Sequence, residues 1–356
     1  MIDLKNYLCT VPFVNVEIME NDNYLCCASW LLKSLPGGDT PLESIWNSKE
    51  SKEVRKSIYD GTYRHCDKTQ CPFLSEVLSN KDLNSNNPII LKKNIPTYIK
   101  NYYDIETGGM NVGPKMLQFS FDRTCNLKCP SCRIDKIVAN SKEIERVEAT
   151  IEEIESVFAK DLVTIYITGS GDPFVSVGFR KFLRNFNPEK YPKLENIHLH
   201  TNATMWTKEM WESMINIHDY VKTCEISIDA GTKDTYENFT RLGGNWNILI
   251  DNLNFINTIP KLKSIKTSFV VQSHNYKEMD TFVNLMTQIF DEKARIFFGK
   301  INNWGTFTEG QFNLLKVWDT THPEHTEFKN EFNKVWKHPQ VIHNLHEFIE
   351  IKKGLI

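Results

Sequence analysis

From Met116 onward, short apolar runs alternate with longer amphipathic stretches, and no other feature of the chain limits its fold so tightly. The runs are Met116–Phe121, Val163–Thr168, Asn196–Thr201, Thr223–Ile228, Thr267–Val271 and Arg295–Gly299. Between them lie Thr150–Ala159, Val177–Asn185, Thr207–Ile215, Asn245–Asn257 and Tyr276–Phe290, where apolar residues recur at helical spacing. Strands that alternate with helices predict a parallel sheet, because parallel strands need crossovers and helices supply them. Six such units predict an α/β fold, a partial (β/α)6 barrel rather than a closed eightfold one. In barrels of this kind the chemistry sits at the C-terminal ends of the strands. The tail from Phe307 reads as a helical extension, with Glu324–Trp336 and Gln340–Lys352 amphipathic.

Ahead of this core the texture differs. Residues 1–78 read as one small module, and residues 79–114, polar and punctuated by Asn, Pro and Gly, read as a linker over the surface. The barrel is then expected over 115–305 and the helical extension over 306–356. A chain of 356 residues accommodates a large domain and a small one. Lys plus Arg number 42 against 45 Asp plus Glu, a net charge of -3 that favours neither nucleic acid nor a membrane surface as partner. Long apolar runs and a signal-peptide pattern are both lacking, so a cytoplasmic protein is expected.

Nine cysteines are many for a reducing compartment, where disulfides do not persist. Their positions are more informative than their number. Cys9, Cys26, Cys27, Cys66 and Cys71 lie in the first module, Cys125, Cys129 and Cys132 form a tight second group, and Cys224 stands alone. Two groups and a stray read as two metal sites. The second group runs Cys125-Asn126-Leu127-Lys128-Cys129-Pro130-Ser131-Cys132 directly after the first expected strand. Thiolates at this spacing let one loop hold three irons of a four-iron cluster. A motif that ends at three leaves one iron open, as catalytic metal sites leave a position for substrate. A structural zinc site is the alternative, although zinc sites mostly pair two C-x2-C halves and no second half follows nearby.

C-x3-C-x2-C after a first strand resembles the signature of the radical S-adenosylmethionine (SAM) superfamily, and the likeness extends over roughly 112–305. The resemblance implies that the open iron chelates the methionine end of SAM. Reductive cleavage then yields a 5′-deoxyadenosyl radical that abstracts hydrogen from a substrate. Ser170-Gly171-Asp172-Pro173, after the second strand, stands where the family has Gly-Gly-Glu-Pro, and the resemblance makes Ser170, Gly171 and Asp172 contacts to the methionine amino group. Asp172 is shorter than the family's Glu. Asn202 resembles the Asn of the family's Thr-Asn-Gly, Ser227 a serine that faces the ribose, and Arg241 an arginine that pairs the methionine carboxylate. Alternation places Glu225, Ser227 and Asp229 on one strand face, and puts His198 and His200 together on another strand, where they either meet substrate or are satisfied interior groups. Cys224 faces opposite Glu225 and reads as a core thiol.

The first cysteine group resembles a Twitch module, the short relative of the SPASM domain, here placed before the barrel. The resemblance implies an auxiliary four-iron cluster on Cys9, Cys26 or Cys27, Cys66 and Cys71. Asn21 takes the place of the family's glycine before the second cysteine, a register that favours Cys26. Structural zinc is again the alternative. The expectation is therefore a two-cluster radical SAM enzyme acting on a peptide or sugar-like small molecule, with flavodoxin or ferredoxin as electron donor. A net oxidation assisted by the auxiliary cluster is favoured over redox-neutral epimerisation. The alternative from another class is a non-catalytic iron–sulfur electron carrier.

Overall fold

Each of the six runs read as strands is a strand. In chain order the strands of the computed structural model are β1 (Tyr7–Cys9), β2 (Asn15–Met19), β3 (Asn23–Tyr24), β4 (Ile89–Leu91), β5 (Met116–Ser120), β6 (Thr164–Ile167), β7 (Asn196–Thr201), β8 (Thr223–Ser227), β9 (Ser264–Val271), β10 (Ala294–Lys300) and β11 (Val341–His343). The structure describes residues 2–38, 40–78, 87–345 and 348. They fall into two units. One is built from the chain up to Asp122 with Asn140–Ser170 and Asn185–Ile197, the other from Arg123–Ala139, Gly171–Arg184 and the chain from His198.

In the second unit β7, β8, β9, β10 and β11 run parallel in that order. Alternation sorts their faces. Leu199 of β7, Cys224 and Ile226 of β8, and Ile265 and Phe269 of β9 are buried. The helices Trp246–Asn257 and Met279–Phe290 follow β8 and β9 and make the crossovers. Phe282 of the latter helix packs against Phe269 at a ring distance of 4.9 Å. Burial of such aromatic surface is the main source of cohesion here. After the helix His325–Val335, the segment read as a helix from Gln340 instead enters β11 and pairs with β10. Pro339 blocks continuation of the helix, and β-branched Val341 and Ile342 suit a strand. Residues 346, 347 and 349–356 of that expected helix lie outside the described residues.

In the first unit β2 and β6 flank β5 in parallel, and β3 pairs antiparallel with β2. The sequence reading assigned β2 to a separate small module, whereas it is a strand beside β5. Val16 and Ile18 are buried in this unit's core, and Glu17 between them disguised the pattern. The expected linker is also structured: β4 pairs with β1, and Ile99 of the helix Thr97–Tyr102 is buried. Residues 79–86 of that linker lie outside the described residues. The helix Ser141–Val157 starts well before the expected Thr150. Asn140 caps it in a reciprocal box with Glu143, and Val147, Ile151 and Ile154 form its buried stripe. Among the described residues no helix is long and apolar enough to cross a membrane.

Glu17 shows what this arrangement costs. Its Oε1 accepts from Gln118 Nε2 at 3.0 Å and Ser120 Oγ at 2.9 Å. Burial pushes the carboxyl up to about 7, against the donors of Ser120 and the Ala28 backbone. Protonated Glu17 thus contributes stability that is fully present below its unfolded value of 4.5 and is lost as the pH rises through about 7. Glu17→Gln should remove that loss. Denaturant melts should show the variant gaining on wild type between pH 5 and pH 8, by up to roughly 3 kcal/mol. A constant difference across that range would show that Glu17 titrates normally.

Candidate metal centre

The loop after β5 folds around its own cysteines. Cys125 N–H donates to Ile137 O at 3.0 Å, and Cys129 O accepts from the amides of Cys132 and Arg133 at 2.9 and 3.0 Å. Cys125 and Cys129 are buried and Cys132 is exposed. Each sulfur meets a side-chain N–H donor. Asn202 Nδ2 lies 3.6 Å from Cys125 Sγ, Arg241 Nη1 3.4 Å from Cys129 Sγ, and Arg133 Nη2 3.3 Å from Cys132 Sγ. Burial still raises the free thiols. Cys125 is pushed up to about 11, Asp172 adding to the rise and Arg133 opposing it, and Cys129 is raised with Arg241 opposing. Metal entry must therefore expel thiol protons, and the three donors stabilise the thiolates that result. Among the described residues no set of three or more Cys, His, Asp or Glu side chains is already gathered at metal-ligand spacing. What stands ready is the shell of donors around the sulfurs.

The strand ends hold those donors in place. Asn202 follows β7, and its Nδ2 also donates to Asn126 Oδ1 at 3.0 Å. Asp172 anchors this turn from below: its Oδ2 accepts from Thr201 Oγ1 at 2.7 Å and Asn202 N at 2.9 Å, and its Oδ1 from Phe174 N at 3.0 Å. The Asp172 carboxylate is thus committed to backbone and neighbouring side chains. Gly171 begins the segment that carries it, and Ser170, in the first unit, donates its hydroxyl to Ser120 O at 2.6 Å. Arg241, its side chain 12% exposed, pairs with Asp229 at 2.6 Å. Asp229 lies at the turn after β8 with φ 59, a left-handed conformation that asparagine and aspartate tolerate best after glycine. Arg241 Nε has no partner among the described residues.

Ser227 shares a hydrogen bond with His200 Nε2 at 2.9 Å, and His198 Nδ1 bonds Thr223 Oγ1 at 2.7 Å. Burial depresses both imidazoles, His198 to about 3, so both are neutral at physiological pH. Cys224 is buried in the core, its thiol raised by that burial. The sequence reading did not foresee Arg133 as a donor to sulfur or Asp229 as the partner of Arg241. Arg133 sits directly beside Cys132, which was the available clue; Asp229 had none, since its pairing depends on a turn formed in three dimensions.

In the first unit Cys9, Cys26, Cys66 and Cys71 influence one another's ionisation. Burial raises Cys9 most, and Cys71 and Cys66 add to the rise; Cys26 is raised by burial and then by Cys9, Cys71 and Cys27; Cys66 is pushed up to about 12 by burial and Cys71. Cys27 has Ser29 Oγ at 3.1 Å and Glu17 as its charged neighbour. The Tyr63 hydroxyl is buried without a hydrogen-bond partner, and Cys9, Cys66 and Cys71 are the charges that act on it.

Residues 119–286 match the model of the Radical SAM superfamily. That family's cofactors are a four-iron four-sulfur cluster and SAM. No curated protein matches the sequence. Among solved structures, the chain is similar to Streptococcus suis SuiB bound to S-adenosylmethionine, at 16% identity and a TM-score of 0.46 over 76% of this chain and 58% of that one. It is similar to anSMEcpe with bound AdoMet and Cp18Cys peptide, at 18% identity and 0.45, over 62% and 58%. A radical SAM methyltransferase from Sphaerobacter thermophilus matches at 11% and 0.40, over 62% and 63%. This chain spans less than two thirds of each, and likenesses of this strength transfer no substrate.

Arg241 is placed to act on the sulfur of Cys129. Arg241→Lys keeps a positive charge against Asp229 but cannot reach the sulfur at the same time, because an ammonium lacks the guanidinium fork. After anaerobic reconstitution, the variant should release iron to a chelator about 10-fold faster than wild type, matching loss of one charge-assisted hydrogen bond, with its melting temperature little changed. Wild-type release would show that the Cys129 contact does not bear on the metal.

Proposed function

We propose that this chain is a radical SAM enzyme whose Cys125, Cys129 and Cys132 hold a four-iron four-sulfur cluster on a partial barrel. The observation that carries the reading is the donor at each of the three sulfurs, supplied from three separate places in the chain. When bound, the cluster and SAM supply one-electron cleavage of the sulfonium and a 5′-deoxyadenosyl radical that takes hydrogen from substrate. Asn202, Arg133 and Arg241 stabilise the thiolates. Within the second unit, Gly171, Asn202, Ser227 and Arg241 are read as contacts for SAM: Gly171 through its backbone, Arg241 through its Nε toward a carboxylate, Ser227 through its hydroxyl toward the ribose. Asp172 acts by positioning Asn202, since its own oxygens are taken. An external flavodoxin or ferredoxin supplies the electron.

The first cysteine group is read as the site of an auxiliary four-iron cluster on Cys9, Cys26, Cys66 and Cys71, a Twitch-like site. The contact of Cys27 with Ser29 favours Cys26 over Cys27 as the fourth ligand. A filled auxiliary cluster has no open iron for substrate and suits an electron acceptor. That favours net oxidation, in which loss of a hydrogen atom is followed by loss of one electron and one proton. Redox-neutral epimerisation needs a hydrogen donor, and Cys224, the stray thiol, is buried in the core.

Two variants test this together. Replacing Cys125, Cys129 and Cys132 with Ala should abolish formation of 5′-deoxyadenosine from SAM under reducing conditions. Replacing Cys66 and Cys71 with Ala should leave SAM cleavage intact and lower iron to about half of wild type, the share expected when one of two like clusters is lost. SAM cleavage by the triple variant contradicts the assignment of the core site, and unchanged iron in the double variant contradicts the auxiliary one.

A further inference from the structure

Three adjacent parallel strands of the second unit present one continuous polar face. His198 and His200 of β7, Thr223, Glu225 and Ser227 of β8, and Lys266 and Ser268 of β9 stand at alternate positions. The strand register sets them side by side: His198 is paired with Thr223, His200 and Lys266 with Glu225, and Ser227 with Ser268. The opposite face of the same strands is the apolar core. A sheet face this polar is costly to bury against protein, because each group needs a partner. Five of the seven, His200, Thr223, Glu225, Ser227 and Lys266, are only half-buried, with the Lys266 and Glu225 side chains 32% and 17% exposed. The face therefore looks onto accessible space.

Its charges cancel within the wall. Lys266 Nζ lies 2.9 Å from Glu225 Oε2, and Ser268 donates its hydroxyl to the other carboxylate oxygen. Burial disfavours the Glu225 anion, but Lys266 and the other donors outweigh it and hold the carboxyl well below the usual range. Both histidines are neutral. An anionic ligand would meet Glu225 and a cationic one Lys266, so neither gains net attraction. No apolar side chain projects at these seven positions, and the nearby Phe297 ring is covered by Lys266 Nζ at 4.4 Å from its centre. What the wall offers is hydrogen bonding: spare ammonium N–H groups, carboxylate lone pairs, hydroxyls that both donate and accept, and neutral imidazoles. Hydroxyl groups replace water on such a surface without a charge imbalance. His200 joins the wall to the metal centre, since Ser227 is its partner and Arg241 and Asp172 are among its charged neighbours.

We propose that this wall recognises the substrate, and that the substrate is a neutral polyhydroxylated small molecule, a sugar or cyclitol, held by Glu225, Lys266 and the His200–Ser227 pair. The inference rests on the reading of Cys125, Cys129 and Cys132 as the place where SAM is cleaved, because the wall is what would present a C–H bond to it.

Isothermal titration of the anaerobically reconstituted full chain with SAM present tests it. The probes are glucose, N-acetylglucosamine and myo-inositol, against glucose 6-phosphate and a neutral hexapeptide. At least one neutral polyol should bind saturably, more tightly than the phosphorylated sugar or the peptide. Its affinity should fall at least about 10-fold, one lost hydrogen bond to a charged group, in both Glu225→Gln and Lys266→Gln. Circular dichroism and melting temperature check that the variants fold, and His200→Gln replaces either one that does not. The proposal is overturned if no polyol binds, if the peptide or phosphorylated sugar binds more tightly, or if folded variants bind like wild type. SAM cleavage by the same wild-type preparation separates the two readings. Cleavage without polyol binding overturns the wall alone; polyol binding without cleavage overturns the reading of the cysteine loop.

Discussion

Arg241 reaches Asp229 through one guanidinium nitrogen and the sulfur of Cys129 through another, at 2.6 and 3.4 Å. Burial opposes its charge most strongly, and Asp229 and then Cys129 more than offset that, so the side chain stays cationic inside the protein. Removing either partner from such a buried pair leaves an uncompensated charge, which is far costlier than the pair is worth. The consequence spreads along the backbone. Asp229 Oδ1 accepts from Val270 N at 2.7 Å, and the Asp229 carbonyl accepts from Asn275 Nδ2 at 2.9 Å. The ends of β8 and β9, the cysteine loop and the turn that carries Arg241 are therefore fixed by one ion pair. Lys128 N, which donates to Leu242 O at 2.9 Å, adds a second tie between that loop and that turn.

Asp172 plays the matching part at the end of β7. Both its oxygens accept, from Thr201, Asn202 and Phe174, and it fixes Asn202 so that the amide faces Cys125. Two buried carboxylates thus position two of the three sulfur donors. The third, Arg133, is held by its own loop, donating to Arg123 O at 2.8 Å. A carboxylate one methylene longer than Asp172 reaches further from the backbone, which explains why a shorter residue suits a positioning role here.

Much of this was legible in the sequence where the information is local. Alternating residues such as Cys224-Glu225-Ile226-Ser227 declare a strand and its faces, and the spacing of Cys125, Cys129 and Cys132 declares a ligand loop. What the sequence concealed depends on distant partners. Arg241 and Cys129 are 112 residues apart, and nothing near either one announces the contact. β2 was hidden because Glu17, a charged residue in its middle, finds its partners on β5 about a hundred residues later. The helix before β6 was truncated in the reading because its first turns are charged, although Asn140 and Glu143 carry a capping signature that marks the true start.

The central claim is that the cluster held by the three-cysteine loop binds SAM directly, and electron paramagnetic resonance of the reduced protein tests it without reference to any substrate. Adding SAM to anaerobically reconstituted, reduced wild type should change the spectrum of one cluster and leave any other unchanged. A brown protein whose spectrum ignores saturating SAM, or a colourless one that carries zinc, would contradict the account.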